Sequence, residues 1–222
     1  MTTADALPDA RRRLRLGIEF AALYLGAPLV IALFLPADLM FPALLAFTVV
    51  GLLLLWRTGD FDWRSLRLGW GRIPWAEVAL LALVTAVAGI AILWLGGRQG
   101  AILGLLRSRP EFLLVIWCLY PFLSALPQEL IFRPLFFHRY GSLFRDRRQA
   151  LAVNAAVFSF AHLMYWHWIV LAMTAVGGWV FARAYLARGF PSAWVLHAVA
   201  GNVIFAIGMG VYFYTGNVQR PF

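Results

Sequence analysis

The chain has 222 residues, 63% of them hydrophobic and 13% charged, with mean hydropathy +0.79 and a formal net charge of +9. Soluble domains are nearer half apolar and a quarter charged, so this composition excludes an ordinary soluble fold and defines an integral membrane protein. The apolar runs are continuous rather than alternating. That favours helices over a β-barrel, whose strands would alternate, and predicts an all-α, polytopic transmembrane helix bundle, read as a single membrane domain over residues 1–222. Every base is an arginine. In a soluble protein the basic surplus would suggest nucleic acid. Here it reports loop arginines facing an anionic leaflet, and the expected partner is the lipid bilayer, with no nucleic acid. The one cysteine, Cys118, excludes an internal disulfide and a cysteine-rich metal site, and reads as a packing residue.

Residues 1–15 are polar and end in Arg11, Arg12, Arg13 and Arg15. The apolar run that follows, about 16–35, is longer than a signal-peptide core and lacks a small-x-small cleavage site, so it reads as an uncleaved first span with Glu19 at the interface. After the turn Pro36-Ala37-Asp38 a second run reaches about residue 56. Residues 57–74 interleave Arg57, Arg64, Arg67 and Arg72 with Phe61, Trp63, Leu66 and Trp70, a pattern for a segment lying on the membrane surface. The third span covers about 75–95, and 97–110 is a loop or short interfacial helix. The fourth, fifth, sixth and seventh spans cover about 112–140, 149–163, 168–186 and 192–214. With the N-terminus in the cytoplasm, fourteen arginines fall inside, four (Arg98, Arg107, Arg109, Arg220) fall outside and Arg133 lies in the membrane. This positive-inside bias predicts seven spans, N-in and C-out, in a bacterial inner (plasma) membrane. An eighth span would require splitting a run or counting the 97–110 segment.

The fourth span contains Pro127-Gln128-Glu129-Leu130-Ile131-Phe132-Arg133-Pro134. Glu129 and Arg133 are four residues apart, which on a helix puts both on one face, about 6 Å apart along the axis. One charge at mid-bilayer costs on the order of 3 kcal/mol on insertion scales, so two of them call for a use. The pair reads either as a structural lock on helix packing or as a catalytic carboxylate held by an arginine. Pro121 and Pro127 each remove a helix hydrogen bond and predict a kink near Glu129.

Of the four histidines, His138 and His167 fall at span ends and are expected at the interface. His162 and His197 fall within the fifth and seventh spans. A lone buried histidine is more often a packing residue than a catalyst, but two on separate helices, together with Glu129, make a convergent polar site. A carboxylate beside an imidazole can activate water as a general base. A second imidazole with an amide can stabilise an oxyanion. Glu129, His162 and His197 could alternatively ligate a divalent metal such as zinc, although no HExxH signature is present. A proton or ion relay is the third option, without the repeat symmetry of a carrier.

Gln128-Glu129-xxx-Arg133, Phe158-xxx-His162 and the helix of His197 resemble the three motifs of the CPBP family. That family comprises CAAX prenyl endopeptidases and bacteriocin-processing or immunity proteins, and its motifs read Glu-Glu-xxx-Arg, Phe-xxx-His and His-xxx-Asn/Asp. The resemblance covers about 111–214; the N-terminal half matches only in being helical and membrane-embedded. It implies an intramembrane endopeptidase acting on a membrane-associated protein or peptide, without a cofactor unless a divalent metal is bound. Glu129 would be the base, oriented by Arg133 and assisted by His162, and His197 with Asn202 or Gln128 would hold the oxyanion. Two departures stand out. The first motif glutamate is Gln128, whose amide cannot accept a proton at neutral pH, which raises the alternative of an inactive membrane scaffold or immunity protein. The residue four after His197 is Gly201; Asn202 is five after, about 140° from His197 around a helix unless Gly201 hosts a bulge.

Overall fold

The computed structural model describes residues 3–214 and 218. Helix α1 (Thr3–Ala21) widens into a π-helical turn (Ala22–Gly26) and continues as α2 (Ala27–Phe34). Helix α3 (Met40–Trp56) returns, two 3₁₀ turns (Trp63–Leu66, Trp70–Arg72) cross one end of the bundle, and α4 (Trp75–Leu95) follows. The short α5 (Gly104–Ser108) leads into α6 (Pro110–Tyr120), which continues through a π-helical segment (Pro121–Ala125), α7 (Leu126–Leu130) and a second π-helical segment (Ile131–Arg139). Helices α8 (Arg147–Ala161), α9 (Trp168–Arg188), α10 (Phe190–Ile207) and the short α11 (Gly210–Phe213) complete the bundle.

The all-α polytopic architecture is as the composition predicts. Among the described residues five helices are long and apolar enough to cross a membrane: Ala10–Phe34, Trp75–Leu95, Pro110–Arg139, Trp168–Arg188 and Phe190–Ile207. The shorter α3 and α8 occupy the places of the second and fifth predicted spans. The seventh span ends earlier than the expected residue 214, because α10 stops at Gly208, whose φ of +100° ends the helix. Helix α4 shows why such helices are apolar all round. It buries a stripe of Val78, Thr85, Gly89 and Leu93 against the bundle, while Leu80, Leu83 and Val87 point outward where lipid would lie. Cys118, expected to pack, is exposed on α6.

Ion pairs between distant segments mark one end of the bundle. Arg139 pairs with Glu19 at 2.5 Å and Arg188 with Glu77 at 2.6 Å, so the end of α1 and the start of α4 lie beside the ends of the long fourth helix and α9. At Gly69, where φ is +104°, a Cβ would lie 2.5 Å from the Arg188 carbonyl; glycine lets the 57–74 segment close against that end. Arg98 lies over the Tyr212 ring, joining the end of α4 to α11. Arg220 lies outside the described residues.

Caps outside the apolar spans follow ordinary helix chemistry. Asp146 accepts from the Gln149 N–H at 2.8 Å at the start of α8, and that bond holds its carboxyl below the usual range. His167, expected at an interface, caps α9 by accepting from the Ile169 N–H at 3.2 Å. Partial burial, with Arg98 nearby, lowers its pKa and keeps that nitrogen free to accept.

The fourth helix is held at its irregular turns. Wide turns at Pro121 and around Pro134 leave carbonyls without ordinary helical partners, and in a membrane such groups are stable only where protein supplies a donor. Trp194 of α10 donates to the Pro121 carbonyl at 2.7 Å, Tyr24 to the Ile131 carbonyl at 2.7 Å, and Asn154 of α8 to the Phe132 carbonyl at 2.6 Å. Three neighbouring segments are thereby fixed around the stretch that carries Glu129 and Arg133.

Candidate active site

Glu129 and Arg133 are both 0% exposed. The i,i+4 spacing survives the change from α7 to the π-helical segment. Arg133 Nε donates to Glu129 Oε2 at 2.8 Å and its second amino group to Oε1 at 3.2 Å, a two-pronged pair. The remaining guanidinium nitrogen donates to Asn154 Oδ1 and to the Phe132 carbonyl. The guanidinium also lies over the rings of Phe158, at 5.2 Å, and Phe181, at 5.9 Å. The pair is thus electrically neutral overall and nearly saturated with hydrogen bonds, which is how two charges are tolerated in a water-poor interior.

His197 joins this network from α10. Its Nδ1 is 2.9 Å from Glu129 Oε1. A carboxylate paired with arginine only accepts, so Nδ1 carries the hydrogen and Nε2 is left with its lone pair. Tyr120 Oη, from the end of α6, is 3.2 Å from Nε2 and donates to it. The imidazole lies flat on Phe181, with ring centroids 4.8 Å apart at 10°. Phe158 lies beside it, nearly perpendicular, with centroids 5.6 Å apart at 82°.

His162 is placed by a different device. It is the residue after the last turn of α8 rather than inside the span, and its Nδ1 donates to the Phe158 carbonyl at 2.7 Å, which leaves Nε2 as an acceptor. The ring stacks on Tyr165 at 6.1 Å between centroids and lies tilted by 54° against Phe158 at 4.9 Å. The Phe-xxx-His spacing therefore sets one aromatic ring, Phe158, beside both imidazoles.

A cavity of about 690 Å³ runs along these groups, with Tyr120, Ser124, Gln128, His162 and His197 in its polar wall and apolar residues of α4, α6 and α9 opposite. Glu129 does not line it. The carboxylate is turned into the protein behind His197, while the neighbouring Gln128 faces the cavity. Consecutive helical residues point about 100° apart, so only one of the two can do so. Glu129, expected as the base, is thus not itself in the cavity wall. Gln128 donates to Ser124 Oγ at 3.0 Å, and its Oε1 is buried without a partner.

Asn202 is not brought to the site. Its side-chain amide N–H donates to the Trp117 carbonyl at 3.2 Å and its main-chain carbonyl accepts from Trp117 Nε1 at 3.0 Å, so it ties α10 to α6. Helix α10 runs through Gly201 without a bulge, and the fifth residue after His197 points elsewhere, as the angular step requires. The metal set Glu129, His162 and His197 does not converge either. Both carboxylate oxygens are engaged by Arg133 and His197, and no group of three or more His, Cys, Asp or Glu side chains among the described residues is placed to hold a metal ion. Three partners escaped the sequence reading: Asn154, Tyr120 and Phe181. Asn154 carried a signal, being an amide in the middle of an apolar span. Tyr120 and Phe181 carried none, because an aromatic residue in a membrane helix is ordinary.

The molecule is therefore a polytopic membrane protein organised around a water-poor Glu–Arg–His network beside a cavity. Residues 110–214 match the family model described as type II CAAX prenyl endopeptidase Rce1-like. The motif resemblance expected over about 111–214 is borne out by this match. Neither the curated proteins nor the solved structures contain a match to the chain.

Proposed function

We propose that the protein is an intramembrane endopeptidase that hydrolyses a peptide bond of a membrane-associated protein or peptide, with the N-terminus on the cytoplasmic face of a bacterial inner membrane. One observation carries this reading: His197 is bonded on one side to a buried carboxylate and presents its other nitrogen to a cavity. A carboxylate that accepts from Nδ1 fixes the tautomer and stabilises the imidazolium formed when Nε2 takes a proton. His197 is thus the general base, Glu129 its buried partner and Arg133 the group that keeps Glu129 ionised and aligned. His162 Nε2 accepts the second hydrogen of the attacking water and turns its lone pair towards the scissile carbonyl. Excluding bulk water strengthens each of these contacts. No step calls for a metal.

The test is a comparison of membrane-protein C-termini in cells carrying the native protein and cells carrying Glu129→Gln at matched folded levels. New or lengthened C-termini in the variant alone are expected, and identify the substrate. Identical termini together with a phenotype on full deletion would overturn the reading.

A second reading, a non-catalytic scaffold or immunity protein, is favoured by Gln128, which stands at the cavity wall where the motif has a glutamate. Gln128→Glu separates the two positions. With His197 as base, a carboxylate at 128 changes turnover by no more than about threefold. A newly supplied general base contributes 10²–10⁴-fold, and a rise of that order, measured on the identified substrate, would move the base to residue 128.

A further inference from the structure

Residue 201 stands four after His197, on the same face of α10, and it is glycine. A Cβ built there would lie 2.1 Å from Tyr120 Cε1, 2.2 Å from Cζ and 2.4 Å from Oη. The phenol of Tyr120 therefore fills the volume that a side chain at 201 would occupy. In the His-xxx-Asn/Asp pattern that volume belongs to an amide or carboxyl; here it is filled from another helix. The ring is seated edge-on to Phe205, at 5.7 Å between centroids, and lines the cavity. Its hydroxyl is 3.2 Å from the nitrogen that receives the proton.

We propose that Tyr120 is a catalytic residue of this site, its hydroxyl serving as the oxyanion donor in place of a side chain at position 201. This rests on the protease reading. In the free site the hydroxyl donates to His197 Nε2. When substrate and water enter, the water donates to Nε2 instead and the hydroxyl turns to the scissile carbonyl oxygen. The water oxygen bonds to the carbonyl carbon, its proton passes to Nε2, and the resulting oxyanion is held by the Tyr120 O–H. As the carbonyl re-forms, the C–N bond breaks and the proton on Nε2 goes to the leaving nitrogen, giving an acid and an amine.

The experiment follows the appearance of processed C-termini in membranes of cells carrying the native chain, His197→Ala, Tyr120→Phe, Tyr120→Ala and Tyr120→Ala/Gly201→Asn, then kcat and KM on the substrate so found. Tyr120→Phe keeps the ring and removes only the donor. A fall in kcat of about 10²–10³ with KM within about twofold is expected, the usual loss for one oxyanion donor. The double variant, with an amide grown into the vacated space, is expected to recover at least about tenfold over Tyr120→Ala, which a packing role would not produce. Native kcat in Tyr120→Phe, with His197→Ala inactive, overturns the role of Tyr120 and leaves the protease reading standing. Loss in Tyr120→Phe without rescue in the double variant overturns the substitution for residue 201. Unchanged processing in His197→Ala overturns the protease reading, and this proposal with it.

Discussion

His197→Ala lowers kcat by about 10³–10⁴-fold or more while the protein still inserts and melts as a folded bundle. The size follows from what is removed: the proton acceptor itself and, through it, the use of the Glu129 carboxylate, which acts on the cavity only by way of this ring. Folding survives because no charge is stranded. Glu129 keeps both prongs of Arg133, and the space beside Phe181 opens onto an existing cavity. His162→Ala, which removes a hydrogen-bond acceptor for the attacking water, costs less, on the order of 10–100-fold. The measurement is turnover of the substrate identified from C-termini, with thermal melting as the control for folding. Equal losses in the two histidine variants would mean that His162 shares the proton transfer.

Arg133→Met destabilises the bundle by about 3–5 kcal/mol, the usual cost of breaking a buried pair from one side. It leaves Glu129 in a fully buried position with a single partner, His197, and leaves Asn154 Oδ1 without its donor. Joint replacement, Glu129→Leu with Arg133→Met, removes both charges and recovers most of that loss, yet the double variant stays inactive because His197 has lost the carboxylate that orients it. Denaturant unfolding in detergent gives the stability and substrate turnover gives the function. The pattern decides between the two meanings of the pair. A stable and active double variant would make the ion pair a packing device only. A single variant within about 1 kcal/mol of native would show that the arginine is not needed to hold the carboxylate in place.

These expectations divide according to how local each contact is. The Glu129–Arg133 bond needs only one helix and a spacing of four, and it was legible before any fold was known. The absence of Asn202 from the site was legible in the same way, from an angular step along α10. That His197 and Glu129 share a polar site was legible, but their direct bond was not, because nothing within either segment brings α10 against the fourth helix. Asn154 and Tyr120 were not legible as partners. Each is bonded to a group on another helix, and neither bond leaves a period or spacing in the sequence.

By itself the sequence determined that the chain is a bundle of membrane helices, since long apolar runs in lipid can satisfy their backbone only as helices. It also determined that a carboxylate and a guanidinium share one helix face. Tertiary structure alone decided which of Gln128 and Glu129 meets the cavity. That choice depends on the rotation of the fourth helix about its axis, fixed by Tyr24, Asn154 and Trp194 at its interrupted turns. It alone decided that a phenol stands over Gly201, because the space a glycine leaves is claimed by whichever helix packs against it.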